Sequence, residues 1–107
     1  LDNIDEILEV AKAKGVDMTQ WGPADFGFSR GQPNLMHSPD IRPFEEEVIK
    51  KSIEHGVAPR IEIGEVEQAK RYMDLGVRHF CIGWDRFMYQ TGLAQIGEGM
   101  RKLLETV

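Results

Sequence analysis

The stretch Gln20-Trp21-Gly22-Pro23-Ala24-Asp25-Phe26-Gly27-Phe28-Ser29-Arg30-Gly31-Gln32-Pro33-Asn34 decides how this chain is read. Two prolines and three glycines break any regular period across it. Yet it carries Trp21, Phe26 and Phe28, which a plain solvated loop would not favour. A short strand-like run, residues 16–21, leads into it, and a helical run follows. Asp25 stands just past the turn. A strand end followed by a glycine turn holding an acid is where an α/β fold places its chemistry.

Working outward, residues 1–14 read as a helix. Ile4, Ile7, Leu8 and Ala11 repeat on one face, Asn3 is a candidate N-cap with Glu6 three residues on, and Gly15 suits the stop. A loop is expected from Gly22 to about Ser38, long for a strand-to-helix connection and so a functional candidate. Ser38 or Asp40 caps the next helix, which runs to His55; Pro43 places a kink there or a start nearer Arg42. Phe44, Val48, Ile49, Ser52 and Ile53 mark its buried face. Residues 57–63 are the second strand. Gly64 precedes a third helix with Val66, Ala69 and Met73 as its stripe, stopped by Gly76. Residues 77–83 are the third strand. Asp85 is a candidate cap for a last helix whose apolar face is Leu93, Ile96, Met100, Leu103, Leu104 and Val107, with Gly92 placed to break it in two.

Strands alternating with helices through short glycine turns mean α/β with a parallel sheet. Three strands and about four helices leave long unpaired edges, and a complete (β/α)8 barrel runs to roughly 250 residues. The 107 residues therefore read as one partial (β/α) barrel domain, and the abrupt start of the first helix, without a leader, points the same way.

Composition narrows the function classes. Hydrophobic residues are 41% and charged residues 29%, which marks a globular chain rather than a disordered one. No apolar run approaches the roughly 18 residues of a membrane span, and no signal-peptide layout opens the chain. The net charge is −5 with both signs interspersed and no basic stripe, so neither nucleic acid nor a membrane is expected as a partner. The single cysteine, Cys81, excludes an internal disulfide framework and fits a reducing, cytoplasmic setting.

At Gly22-Pro23-Ala24-Asp25 the sequence resembles the C-terminal part of the HpcH/HpaI-type aldolases. The likeness continues through Glu67-Gln68-Ala69-Lys70-Arg71-Tyr72-Met73-Asp74-Leu75-Gly76, similar to that family's seventh helix. His79-Phe80-Cys81-Ile82-Gly83-Trp84-Asp85 is similar to its eighth strand and turn, and Leu1-Asp2-Asn3-Ile4-Asp5-Glu6-Ile7 to the start of its fifth helix. The resemblance implies the C-terminal portion of a (β/α)8 barrel, the second half of an aldolase domain. It implies an enzyme that makes or breaks a carbon–carbon bond next to a pyruvate-type 2-oxo acid through an enolate. The partners implied are a small 2-oxo acid and an aldehyde, and the cofactor is a divalent cation, magnesium, manganese or cobalt. Asp25 is implied as one of two carboxylate ligands, a hard oxygen donor suited to such a cation. Gly22, Ala24 and Asp25 are implied as the turn that holds the ketoacid carboxylate, glycine allowing close approach. The family's second ligand, its substrate arginine and its acid/base histidine lie upstream of Leu1, so no catalytic residue is named within the chain and the chain alone is expected to be inactive. Trp21 and Phe26 are bulkier than the aliphatics the resemblance suggests and would reshape the pocket.

Other candidates have plainer readings beside them. Asp25 also suits a simple turn cap. His37 lies in the loop and would reach a site mouth; His55 near a helix end suits the dipole; His79 begins a strand. Cys81 reads as an inert core thiol. Arg60 and Glu62 alternate on one strand and share a side, so Glu62 either lines the pocket or pairs with Arg60 at a rim. The last helix reads as core or subunit interface in a homo-oligomer. Two alternatives stand beside the aldolase: a lyase acting on a citryl or malyl thioester, and a catalytically incomplete half-barrel that only self-associates.

Overall fold

A computed structural model describes all 107 residues. Helix α1 (Ile4–Ala13) leads to strand β1 (Met18–Gln20), and α2 (Pro23–Ser29) follows at once. Two 3-10 turns, Pro33–His37 and Pro39–Ile41, lead to α3 (Arg42–Glu54) and β2 (Ala58–Ile63). A 3-10 turn at Val66–Gln68 opens α4 (Ala69–Asp74), and β3 (His79–Ile82) and α5 (Asp85–Leu104) complete the chain. The three strands form one parallel sheet in the order β1-β2-β3, with Gln20 opposite Arg60 and Glu62 opposite Cys81.

The expected alternation is present, with two departures. The stretch expected as loop folds into helix α2 directly after the turn. Pro23 occupies the first helical position, where its fixed φ suits a helix and its missing N–H costs nothing. Phe26 then packs between Trp21 and Phe44, ring centroids 5.0 Å from each, and tertiary packing outweighs the glycine at 27. The second departure is α5, 20 residues without interruption. Nothing lies within 4 Å of where a Gly92 Cβ would stand; the glycine only weakens the helix.

Alternation along β2 sets the layers. Pro59, Ile61 and Ile63 are buried, whereas Arg60 and Glu62 point to the other side. Ile61 and Ile63 join Trp21, Ile41, Ile49 and Val77 in a core between the sheet and α3 and α4. A second cluster, Ile4, Leu8 and Val57, seats α1. Ile7, expected on that face, is exposed, as is Ile53 on α3. Each fully buried aliphatic side chain contributes about 1.5–3 kcal/mol. Thr19 Oγ1 meets the buried Ser52 Oγ at 3.0 Å and ties β1 to α3.

Caps differ from the sequence reading at several places, among them α5, where Trp84 is the N-cap and Asp85 the first helical residue. Asn3 makes no side-chain cap bond. A reciprocal box forms instead between Glu65 and Gln68, with Gln68 Oε1 accepting from the Glu65 and Gly64 N–H groups at 3.0 and 2.8 Å. Ser38 caps the 3-10 turn Pro39–Ile41 rather than α3, its Oγ accepting from the Asp40 N–H, and α3 starts at Arg42 with Ile41 at its N-cap, no side-chain cap bond, and Pro43 in its first turn. Gly76 turns the chain at φ 97°, where a Cβ would stand 3.0 Å from Ile53 Cδ1.

Helix α5 buries none of its residues, and the molecule extends 66 Å along its longest axis. Leu93, Ile96, Met100, Leu103 and Leu104 form the expected stripe, yet nothing in the chain covers it. No helix is long and apolar enough to cross a membrane.

Candidate functional site

All three strands point their C-terminal ends the same way, because the sheet is parallel. The Gly22–Asp25 turn, the Gly64–Glu65 turn and the Gly83–Trp84 turn therefore share one edge. Two adjoining clefts open there. One, of about 480 Å³, includes Trp21, His37, Arg42, Glu45, Glu62 and Arg71 in its wall. The other, of about 740 Å³, includes Glu62, Glu65, Trp84, Phe87, Thr91 and Gln95. Pro23, Met36 and Glu62 belong to both walls.

Gly22 is the N-cap of α2, and Ala24 and Asp25 are its second and third residues. The first backbone bond into this helix is from the Phe26 N–H to the Gly22 carbonyl, at 3.0 Å. The Ala24 and Asp25 N–H groups precede it and have no acceptor within the helix. The Asp25 carboxylate folds back over the turn. A Cβ at residue 22 would lie 3.0 Å from Asp25 Oδ2, so only glycine lets this carboxylate sit where it does. Asp25 is exposed, and its side chain has no hydrogen-bond or ion-pair partner in the chain.

That free carboxylate suits a hard cation as one donor. A metal centre needs more, and no group of three or more His, Cys, Asp or Glu side chains stands close enough together to hold a metal ion. The residues of this chain do not by themselves build the implied centre.

The remaining sequence candidates separate. His37 is exposed and lines the smaller cleft. His55 is the C-cap of α3, its Nδ1–H donating to the Lys51 carbonyl at 2.9 Å with Nε2 3.8 Å from Asp5 Oδ1, which is a structural role. His79 opens β3 opposite Arg60 and is exposed. Cys81 is half-buried beside Glu62 on the face turned away from the helices, rather than in the core expected for it. Arg60 donates to Gln20 Oε1 and forms no ion pair with Glu62. Glu62 takes the pocket-lining alternative, with no partner of its own. Trp21 and Phe26 belong to the core, Trp21 being buried and Phe26 packed against it, so they shape the cleft's floor from behind.

One group escaped the sequence reading. Glu45 is buried, only 6% exposed, and would be costly there unpaired. The Tyr72 hydroxyl donates to its Oε1 at 3.0 Å, and Arg71 reaches its Oε2 at 3.1 Å and Glu46 at 3.1 Å. Burial first, then the neighbouring Glu45 carboxylate, push the Tyr72 phenol up to about 12. Arg71 is raised by its Glu46 and Glu45 partners against the opposing effect of burial. The spacing gave one hint: Glu45 falls between Phe44 and Val48 on the inward side of α3.

No family model matches the chain. It is 34% identical over 85 residues to a 4-hydroxy-2-oxo-heptane-1,7-dioate aldolase of Escherichia coli, a match covering 79% of this chain and 31% of that protein. The chain thus spans about a third of the length of the curated relatives it matches. Among solved structures it superposes on an HpcH/HpaI aldolase from Desulfitobacterium hafniense with a TM-score of 0.78 at 18% identity, covering 94% of this chain and 39% of that one. It also superposes on an HpcH/HpaI aldolase/citrate lyase family protein from Burkholderia cenocepacia, with a TM-score of 0.74 at 28% identity, covering 92% of this chain and 38% of that one. The strands and helices described above are the C-terminal portion of that (β/α)8 barrel, and the chain is related in sequence and in fold to the C-terminal part of the HpcH/HpaI-type aldolases.

Proposed function

We propose that this chain is the C-terminal part of an aldolase that cleaves or forms the carbon–carbon bond of a 4-hydroxy-2-oxo acid. The observation that carries the reading is the Gly22–Asp25 turn: two N–H groups without an intrahelical acceptor and an unpartnered carboxylate, set at the C-terminal edge of a parallel sheet. In cleavage, the 4-hydroxyl loses its proton and the C3–C4 bond breaks. The C4 side leaves as an aldehyde. The electron pair of the bond remains on the three-carbon side as the enolate of pyruvate, which then takes a proton at C3. The Ala24 and Asp25 N–H groups suit the 2-oxo acid's carboxylate. Asp25 contributes one oxygen donor to a divalent cation whose other ligands, like the acid/base group, other residues of the complete barrel supply. Magnesium, manganese or cobalt is the cofactor under this proposal. The second half-domain role, a homo-oligomeric state and the small 2-oxo acid and aldehyde as partners belong to the same proposal.

The test is pyruvate release from a 4-hydroxy-2-oxo acid by the complete barrel that contains this chain, with and without EDTA, for the wild type and Asp25→Ala. The proposal expects release that EDTA abolishes and that Asp25→Ala lowers by about a hundredfold or more, the scale of losing a directly contacting group. Release indifferent to both contradicts it. The thioester-lyase alternative draws on the citrate lyase naming of one structural neighbour; no basic cluster of the chain favours a nucleotide-bearing substrate.

A further inference from the structure

Two aromatic side chains bracket the Gly22–Asp25 turn, Trp21 directly before it and Phe26 directly after. Their rings meet across it, with centroids 5.0 Å apart and planes tilted by 47°. The Phe26 N–H donates to the Gly22 carbonyl at 3.0 Å and closes the same loop through the backbone. Phe26 also meets Phe44 of α3, again at 5.0 Å. The Arg30 guanidinium lies over both phenyl rings, 5.3 Å from the Phe26 centroid and 5.1 Å from that of Phe44. Tilted ring pairs, and a cation over a ring face, attract beyond the area that they bury. Trp21 is itself buried in the core cluster with Ile49 and Ile61, so the stack runs from the end of β1 to α3. This arrangement carries a cost: the Trp21 Nε1–H is buried and has no acceptor in the chain. An aliphatic side chain would fill the core there without stranding a donor.

Asp25 is exposed and its side chain has no partner in the chain, so the backbone on either side sets where its carboxylate stands. Resting on the aldolase reading above, we infer that the Trp21–Phe26 clasp, buttressed by Phe44 and Arg30, holds Asp25 in place for the reaction. Phe26 is its positioning residue, acting through its sequence neighbour from behind the turn. The clasp ties both ends of the turn to one packed tier, the kind of support that keeps a reacting group in a single arrangement. A misplacement of about 1 Å is enough to cost an enzyme a hundredfold in rate.

The experiment uses the complete barrel that contains this chain and has two arms. The first follows amide hydrogen exchange in a fragment spanning residues 21–30 and in one spanning residues 57–63. Phe26→Leu should speed exchange in the first by about tenfold, the scale of losing the ring contacts, and leave the second unchanged. Phe26→Tyr keeps the ring and should restore slow exchange. The second arm measures kcat for pyruvate release from a 4-hydroxy-2-oxo acid. Phe26→Leu should lower kcat by about tenfold or more, and Phe26→Tyr should bring it back. Ile49→Val trims the same core cluster away from the turn, and its kcat should stay within about twofold of the wild type although its stability falls. The inference is overturned if Phe26→Leu leaves exchange in residues 21–30 unmoved or raises it equally in residues 57–63. It is overturned too if Phe26→Tyr behaves as Phe26→Leu does, or if Ile49→Val lowers kcat as much. No pyruvate release from the wild type defeats the aldolase reading, and the first arm still decides whether the clasp holds the turn.

Discussion

The two faces of the sheet obey opposite rules. On the face covered by α3 and α4, Ile61, Ile63, Val77 and Trp21 are buried, and the one hydroxyl pair, Thr19 with Ser52, is satisfied internally. On the other face Met18, Gln20, Glu62 and His79 are exposed and Arg60 is half-buried, bonded to Gln20. The same β2 supplies both, residue by residue. One face specifies the fold; the other is free to hold charge, and its C-terminal edge gathers the polar groups of the candidate site. A closed barrel would have that second face as its interior.

Substitutions on opposite sides of β2 should separate most strongly. Ile61→Ala is expected to cost about 2–5 kcal/mol in denaturant unfolding, because it leaves a cavity in the core. Glu62→Gln, one residue on, should change stability by less than about 0.5 kcal/mol. Equal losses at the two positions would mean that the exposed face is packed in solution. Ser52→Ala should cost about 1–2 kcal/mol, since it strands the half-buried Thr19 hydroxyl.

The Glu45–Arg71–Tyr72 cluster makes a pH prediction with a defined sign. The Tyr72 phenol is raised from its usual 10.0 to about 12 by burial and by Glu45, so folding favours its protonated form. The stability this contributes is complete below pH 10 and is lost as pH rises through 12. Tyr72→Phe should therefore flatten the fall in unfolding midpoint across that window relative to the wild type. An unchanged slope would place the alkaline sensitivity elsewhere. The smallest effect is expected on α5: Ile96→Gln, at a residue 68% exposed, should shift the unfolding midpoint of the dilute protein by the equivalent of under about 0.5 kcal/mol.

Most of the layer order was legible in the sequence because glycines punctuate it. Gly15, Gly56 and Gly76 end helices where expected, and period-two alternation at residues 59–63 marks the buried face. Helix α2 was not legible. Its support comes from Trp21 at the end of the preceding strand and from Phe44 on α3, remote in sequence, and the glycines at 22 and 27 read as loop. Gly27 is there because the Gln32 carbonyl would lie 2.8 Å from a Cβ, a contact that only the folded chain reveals. The buried Glu45 was hidden for a similar reason: its partners Arg71 and Tyr72 come from another helix. Of the site, Gly22, Ala24 and Asp25 stood out through the turn and the resemblance, whereas for Glu62 a rim pairing with Arg60 was the favoured reading over lining the pocket, and Arg60 instead bonds to Gln20.

Manganese relaxation enhancement of the backbone amides, on the wild type and on Asp25→Ala, tests the central claim most directly, since it registers even weak contact with a single carboxylate. The account predicts that broadening centres on residues 22–26 and vanishes in Asp25→Ala. Broadening centred on the acidic run Glu45–Glu47, or unchanged by Asp25→Ala, would contradict it.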